Sequence, residues 1–202
     1  MNIGIIPDGN RKWAQLKNIS FEESYSKGAD IALDLVKSSL SQSEVNTLVF
    51  YVLSKENYQE RKKEEITAIS NGIRKGIEVF NKLPGIELIL FGDDSPADIK
   101  NLFNLNEKLK NEGEHKKLKI IFLLNYSPSW DFETTPIRSS GLPDLDAIIR
   151  TGPSRLSGFL PYQSRNSQLY FTDYHWGDFS VEKFNEILRD YKDNYSKIIH
   201  GK

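Results

Sequence analysis

"NIGIIPDGNRKWA", residues 2–14, sets the reading of the whole chain. Asn2 to Ile6 form a short apolar run suited to a buried strand. Pro7 ends that run, and Asp8, Gly9 and Asn10 follow as turn formers. Arg11, Lys12 and Trp13 come directly after them. A buried strand that opens onto a carboxylate, a flexible turn and two cations is suited to holding an anion at the end of a sheet. The same Asp-Gly-Asn is also ordinary turn chemistry. Its meaning therefore depends on what lies at the ends of the other strands.

Working outward, strand-like and helix-like segments alternate. Residues 20–43 read as a helix, with Ile31, Leu35, Val36 and Leu40 at near-helical spacing and Ser20 with Glu23 placed for a capping box. Residues 46–54 read as a continuous buried strand, 60–83 as a helix with Ile66, Ile69, Ile73, Ile77 and Phe80 on one face, and 86–93 as a third strand. A polar helix over 96–112 and a strand over 117–126 follow. Residues 127–143, rich in Ser, Thr, Pro and Gly, read as a loop. A fifth strand near 145–152, a sixth at 167–173 and a terminal helix begun by Ser180 complete the series. The pattern predicts an α/β fold, a six-stranded, mainly parallel sheet with helices on both faces, in one domain over residues 1–202.

In such sheets ligands gather at the carboxyl ends of the strands. Beyond the expected strands stand Asp8 to Lys12, then Ser54 and Asn57, then Asp93 and Asp94, then Asn125, and finally Arg150 with Arg155 and Ser157. Turn amides beside Gly9 and Gly152 and the guanidinium forks suit phosphate oxygens. One carboxylate, Asp8, among cations suits Mg²⁺, which takes few protein ligands and completes its shell with phosphate and water. Arg150 reads equally as a structural ion-pair partner, and Trp13 reads first as a packing residue. The residues alone reach a phosphorylated ligand, not a reaction.

Composition narrows the classes. The net charge of −1 offers no global basic field for nucleic acid. With no cysteine, disulfides and thiolate metal sites are excluded, and the scattered His115, His175 and His200 make no zinc pattern. The opening residues lack a basic region and a long apolar segment, and no run approaches the length of a membrane span, so a cytoplasmic protein is expected.

"IIPDGNRKWA" resembles the opening signature of the cis-prenyltransferases, the undecaprenyl diphosphate synthase family. "LSKENY" (53–58), "FGDDS", "NYSPSWDF", "DLDAIIRTGPSRLSGFLPYQS" and "QLYFTDYHWGDFSVEKF" follow in the family's order. The resemblance implies an undecaprenyl diphosphate synthase-like fold with a hydrophobic tunnel walled by helices 21–40 and 60–83. It also implies a reaction in which isopentenyl diphosphate attacks an ionised allylic diphosphate, leaving a Z double bond. Asp8 would carry Mg²⁺, together with residue 168. Gly9, Asn10, Arg11, Lys12 and Trp13 would surround the allylic diphosphate, with Asn10 near the reacting centre. Arg150, Arg155 and Ser157 would hold isopentenyl diphosphate, and Ser54 and Asn57 would line the space between. A homodimer in contact through "LYFTDYHWGDF", near His175, and a peripheral membrane contact for product release are further implications.

The chain departs from the family pattern in several places. Lys12 stands where arginine is usual, Phe21 and Tyr25 where basic residues are common, Glu60 (beside Arg61) where an arginine is common, and Gln168 where a metal-binding glutamate is typical. Glutamine coordinates only through a neutral carbonyl. The loop from Arg150 to Arg155 is short, residues 127–143 replace a longer helical segment, and the family's Arg-rich tail is missing. Two alternatives follow from these departures. One is irregular, lavandulyl-type coupling of two allylic diphosphates. The other is a non-catalytic prenyl-diphosphate-binding subunit.

Overall fold

The computed structural model describes residues 1–42, 44–110 and 116–195. His115, His200 and the last residues of the expected terminal helix lie outside the described residues. The strands are β1 (Asn2–Ile6), β2 (Thr47–Ser54), β3 (Ile86–Phe91), β4 (Leu118–Tyr126), β5 (Ala147–Thr151) and β6 (Gln168–Thr172). They form one six-stranded sheet in the order β3-β4-β2-β1-β5-β6, and every pairing is parallel. The apolar run that opens the chain is thus the inner strand on which the order divides. From β1 the chain moves to β2 on one side, and β5 is added later on the other.

The helices are α1 (Asn10–Lys17), α2 (Phe21–Ser41), α3 (Lys55–Glu60), α4 (Lys63–Phe80), α5 (Ala97–Leu109), α6 (Pro128–Asp131) and α7 (Val181–Asp190). Ser20 and Glu23 form the expected reciprocal capping box on α2. Two short helices have no counterpart in the hydrophobic pattern. α1 buries only Ala14, and α3 buries no residue, so neither shows an apolar period. α1 begins because Gly9, at φ 96°, turns the chain sharply after Asp8. α3 begins because the Ser54 hydroxyl accepts the Asn57 N–H, 3.1 Å away.

Alternation along the strands divides the core in two. Ile3, Ile5, Leu48, Phe50, Ile120 and Phe122 face the long helices, packing with Leu35, Ile73, Ile77, Leu102, Phe184 and Leu188. Ile6, Val49, Tyr51, Ile121, Leu123 and Ile148 face the other way, onto Tyr126, Leu145, Phe159 and Leu160. Helices on both faces were expected, yet all the long helices serve the first face. The second is covered by the irregular chain after β4 and β5, including α6. Buried polar groups hold that covering chain in place of helical hydrogen bonds. The fully buried Asp131 accepts from the Tyr126 hydroxyl at 2.9 Å and from the Ser139 amide and hydroxyl at 2.8 and 2.7 Å.

Gly4 in the middle of β1 has its reason here. A methyl group at this position would stand 2.5 Å from the Phe159 ring and 3.1 Å from Leu145. Gly4→Ala is therefore expected to destabilise the protein by about 1–3 kcal/mol through overpacking, with the denaturant midpoint falling at unchanged slope. A midpoint equal to that of the wild type would show that the covering chain is not closely packed on β1.

Candidate active site

The sheet register brings Asp8 and Arg150 together. Ile6 pairs with Arg150, so the residues just past β1 lie beside the end of β5. One Asp8 carboxylate oxygen accepts from Arg150 Nη2 at 2.6 Å, and the other accepts the Gly9 amide at 2.6 Å. The Asp8 backbone is pinned as well. Its N–H donates to Thr151 Oγ1 at 2.9 Å, and its carbonyl accepts from Thr151 Oγ1 at 2.8 Å and from the Trp176 amide at 2.9 Å. The Asp8 side chain is 39% exposed and that of Arg150 only 3%. Arg150 also donates through Nη1 to the Arg155 carbonyl and to Ser157 Oγ, the latter at 2.9 Å. Its Nε is buried with no partner. Arg150 was expected to grip a diphosphate. Its fork is turned onto Asp8 and the following loop, the ion-pair role read equally from the sequence, and Arg155 is the exposed cation of that loop. Ser157 is held by Arg150 in the left-handed region, at φ 50°.

α1 starts immediately beyond Asp8 with no side-chain cap. Its first turn therefore presents amide groups and the positive end of the helix dipole at the crevice between β1 and β5. Asn10 is the first residue of the helix. Its Nδ2 donates to the Pro7 carbonyl at 3.1 Å, while its buried Oδ1 has no partner. That oxygen is near Gly28, where an added methyl group would lie 3.2 Å from it.

Pro7, Asn10 and Gly28 also border a cavity of about 80 Å³ between α2, α4, Trp176 and the sheet. Ala29, Ala32, Gly72, Ile73 and Gly76 line it, and Phe50, Phe80 and Phe122 belong to the same wall. Those three rings pack edge to face, Phe122 lying 5.8 Å from Phe50 and 5.7 Å from Phe80. α2 and α4, the walls expected from the sequence, border this space, but its extent is that of a pocket rather than a long tunnel.

The remaining expected residues divide. Ser54 and Asn57 stand at the carboxyl end of β2, with Ser54 spent on capping α3. Lys12 is exposed. Trp13 packs against Gly177 and donates from its indole to Asp178 at 2.9 Å, so it serves the contact between α1 and the chain after β6. Arg11 reaches toward Glu65, 3.6 Å from its Nε. Gln168 does not join Asp8 within one chain. It pairs with Ala147, which pairs with Ile3, at the amino end of the sheet. Asp8 lies beyond the opposite end, about 15 Å away at the usual rise of a strand. Parallel pairing puts the two positions at opposite ends of the sheet, so Asp8 and Gln168 of the same copy do not share an ion.

Three residues were missed. Thr151 clasps the Asp8 backbone, and Trp176 walls the cavity while donating to the Gly28 carbonyl at 3.0 Å. His175, read as a surface or subunit-contact residue, packs on Gly9, where an added methyl group would lie 2.6 Å from its Nδ1. No periodicity marks any of them, since each acts through a contact distant in sequence.

For a divalent cation the donor set is sparse. Among the described residues no three His, Cys, Asp or Glu side chains come together. Asp8 is the half-open carboxylate at the crevice, beside uncapped amides. That set fits Mg²⁺ borne largely by phosphate oxygens and water, and does not fit a closed protein cage.

Comparison with known proteins agrees with this geometry. The family described as "Putative undecaprenyl diphosphate synthase" matches residues 6–139 and 133–198. A tritrans,polycis-undecaprenyl-diphosphate synthase (geranylgeranyl-diphosphate specific) of Aeropyrum pernix is 30% identical, over 93% of this chain and 92% of its own length. An isoprenyl transferase of Aquifex aeolicus is 31% identical, over 94% of this chain and 91% of its own. In fold, the chain is similar to lavandulyl diphosphate synthase from Lavandula x intermedia, solved with dimethylallyl diphosphate. The TM-score is 0.79 at 22% identity, covering 96% of this chain and 95% of that one. With its parallel sheet, its anion-suited crevice and these relatives, the chain belongs to the undecaprenyl diphosphate synthase family of prenyltransferases.

Proposed function

We propose that the enzyme condenses isopentenyl diphosphate with an allylic prenyl diphosphate to give a Z-prenyl diphosphate. One observation carries this reading: the apolar cavity, lined in part by Pro7 and Asn10, adjoins the Asp8–Arg150 cluster and the uncapped start of α1. A single ligand with a hydrocarbon tail and an anionic head spans both environments. In the reaction the allylic C–O bond breaks and its electron pair leaves with diphosphate. The isopentenyl double bond forms the new C–C bond, and one proton is lost as the new double bond appears.

The first turn of α1, from Gly9 to Lys12, faces the allylic diphosphate with backbone amides and cationic side chains. Asn10 stands between the polar crevice and the cavity, and its unpartnered amide oxygen lies next to where the chain would react. Arg155, with Ser157 and the Arg150 that holds it, flanks the second diphosphate, and Ser54 and Asn57 border the space between. Asp8 would hold Mg²⁺. When bound, this ion neutralises charge developing on the leaving diphosphate. Phe50, Phe80 and Phe122 line the cavity, whose volume of about 80 Å³ supports a short product. A second copy of the chain would pair along the β6 edge, where Leu169 and Phe171 are 37% and 38% exposed.

The same small cavity favours a second reading, irregular coupling of two allylic diphosphates. Incubation with Mg²⁺ and dimethylallyl, geranyl or farnesyl diphosphate, with and without isopentenyl diphosphate, separates the two. Z-elongated products that require isopentenyl diphosphate are expected. A branched product formed without it would replace the first reading by the second, and ligand binding without any turnover would overturn both. Asp8→Asn is expected to lower kcat/KM by about a hundredfold or more and, because it strips the counter-charge from buried Arg150, to destabilise the protein by about 3 kcal/mol in denaturant unfolding. Phe80→Leu, which opens the aromatic wall, is expected to lengthen the product on chromatography by at least one isoprene unit. Unchanged product length would remove Phe80 from control of depth.

A further inference from the structure

α3 starts at the carboxyl end of β2, beside the candidate site, yet it buries no side chain. Apolar packing therefore does not hold it there. Two carboxylates beyond β3 supply the attachment. Lys55 Nζ donates to Asp93 Oδ2 at 2.9 Å, and the Tyr58 hydroxyl donates to Asp98 Oδ1 at 2.7 Å. The first contact is the more sheltered, with the Asp93 side chain 14% exposed and that of Lys55 32%. The strand order β3-β4-β2 places β4 between the two residues, so the ion pair reaches across the end of β4.

Asp93 is itself fixed on two further sides. Its Oδ1 accepts the Ser95 amide at 3.1 Å, closing a turn before α5. Its carbonyl accepts from Asn125 Nδ2 at 2.9 Å, and Asn125, near the end of β4, is fully buried. Burial alone would raise the Asp93 carboxyl, but the bonds from Ser95 and Lys55 outweigh it and hold the group below its ordinary value. Asp93 thus stays charged and keeps its grip on Lys55.

The other side of the same strand end meets the second diphosphate loop. The Tyr51 hydroxyl of β2 lies 3.4 Å from the Tyr126 carbonyl and 3.5 Å from the Ser157 carbonyl. Burial pushes the Tyr51 phenol up, Glu56 of α3 adds to the rise, and Arg150 opposes it. One hydroxyl is therefore close to both α3 and the Arg150 guanidinium. A part-exposed ion pair such as Lys55–Asp93 adds little to global stability. Its consequence is local, because it decides where a helix with no buried side chain rests.

We propose that Asp93 is a positioning residue for isopentenyl diphosphate, acting through Lys55 to seat α3 so that Asn57 stands across from Arg155 and Ser157. This rests on the prenyl diphosphate reading above and gives the "FGDDS" segment after β3 a part in it.

Hydrogen exchange of the ligand-free protein reads the tether first. Asp93→Asn keeps an oxygen for the Ser95 amide and removes only the charge. It is expected to raise amide exchange across residues 55–60 by about tenfold, with exchange in the strands and Tm unchanged. Lys55→Met is expected to do the same and Lys55→Arg to keep the protection. The double variant is expected to be no worse than either single one, since both act through one contact. Titration in Mg²⁺ buffer reads the ligand. Asp93→Asn is expected to bind isopentenyl diphosphate about five- to tenfold more weakly, and dimethylallyl diphosphate within about twofold of wild type. Unchanged exchange in α3 overturns the tether. A loosened α3 with unchanged isopentenyl diphosphate binding, or with both diphosphates weakened alike, overturns the positioning role. Tighter binding, the result if Asp93 acts only as a negative charge near an anion, overturns it too. A wild type that binds neither diphosphate overturns the prenyl diphosphate reading and this proposal with it, an outcome that exchange in α3 keeps apart from a failed tether.

Discussion

The contact between Asp8 and Arg150 is the constraint around which the rest of the site is arranged. Arg150 is almost entirely buried, and a buried guanidinium without a counter-charge is strongly unfavourable. Asp8 supplies that charge from the neighbouring strand, at 2.6 Å. The pairing joins the end of β1 to the end of β5 on either side of the division in strand order. The other Nη of the same guanidinium holds the loop after β5 through the Arg155 carbonyl and Ser157. Thr151, one residue on, fixes the Asp8 backbone from the same strand. The crevice thus has a carboxylate held in place but partly open to solvent, with the positive end of α1 directly above it.

Around this anchor the chain assembles two unlike environments in contact. Polar groups collect beyond the strand ends because a parallel sheet delivers every carboxyl end to one side. The apolar cavity opens beside them because α2 and α4 carry glycine and alanine where they face each other, and because Trp176 closes one wall. Asn10 lies at the boundary, as the first helical residue of α1 and as part of the cavity lining. The hydrocarbon and anionic parts of a prenyl diphosphate make opposite demands on solvent, and this boundary meets both within a few residues.

Much of this was legible in the chain itself. The apolar runs of β1, β2, β4 and β5 mark buried strands because each is covered on both faces, while the edge strand β3 buries every second residue; the face of α4 formed by Ile69, Ile73, Ile77 and Phe80 is the one it buries. Asp8, Asn10, Arg150 and Ser157 could be read as neighbours because parallel strands carry their following residues to one edge. The short helices α1 and α3 could not be read, since too few of their residues are buried to show a period. The nature of the second face was equally hidden. Residues 127–167 cover it through buried hydrogen bonds such as those of Asp131, and these leave no repeating pattern.

The sequence by itself determined the alternation of strand and helix, the family, and the identity of the groups at the strand ends, because these depend on local order and residue chemistry. Only the tertiary structure decided which groups meet. It turned the Arg150 fork onto Asp8, set Trp13 and His175 against their packing partners, and gathered Arg11, Tyr25, Arg61 and Glu65 from separate helices and the turn between α3 and α4. It also carried Gln168 to the far end of the sheet from Asp8. The physical reason is strand register: a parallel pairing aligns residues far apart in sequence, and a position near the start of one strand stands opposite the end of another no matter how suited the two side chains are to a shared ligand.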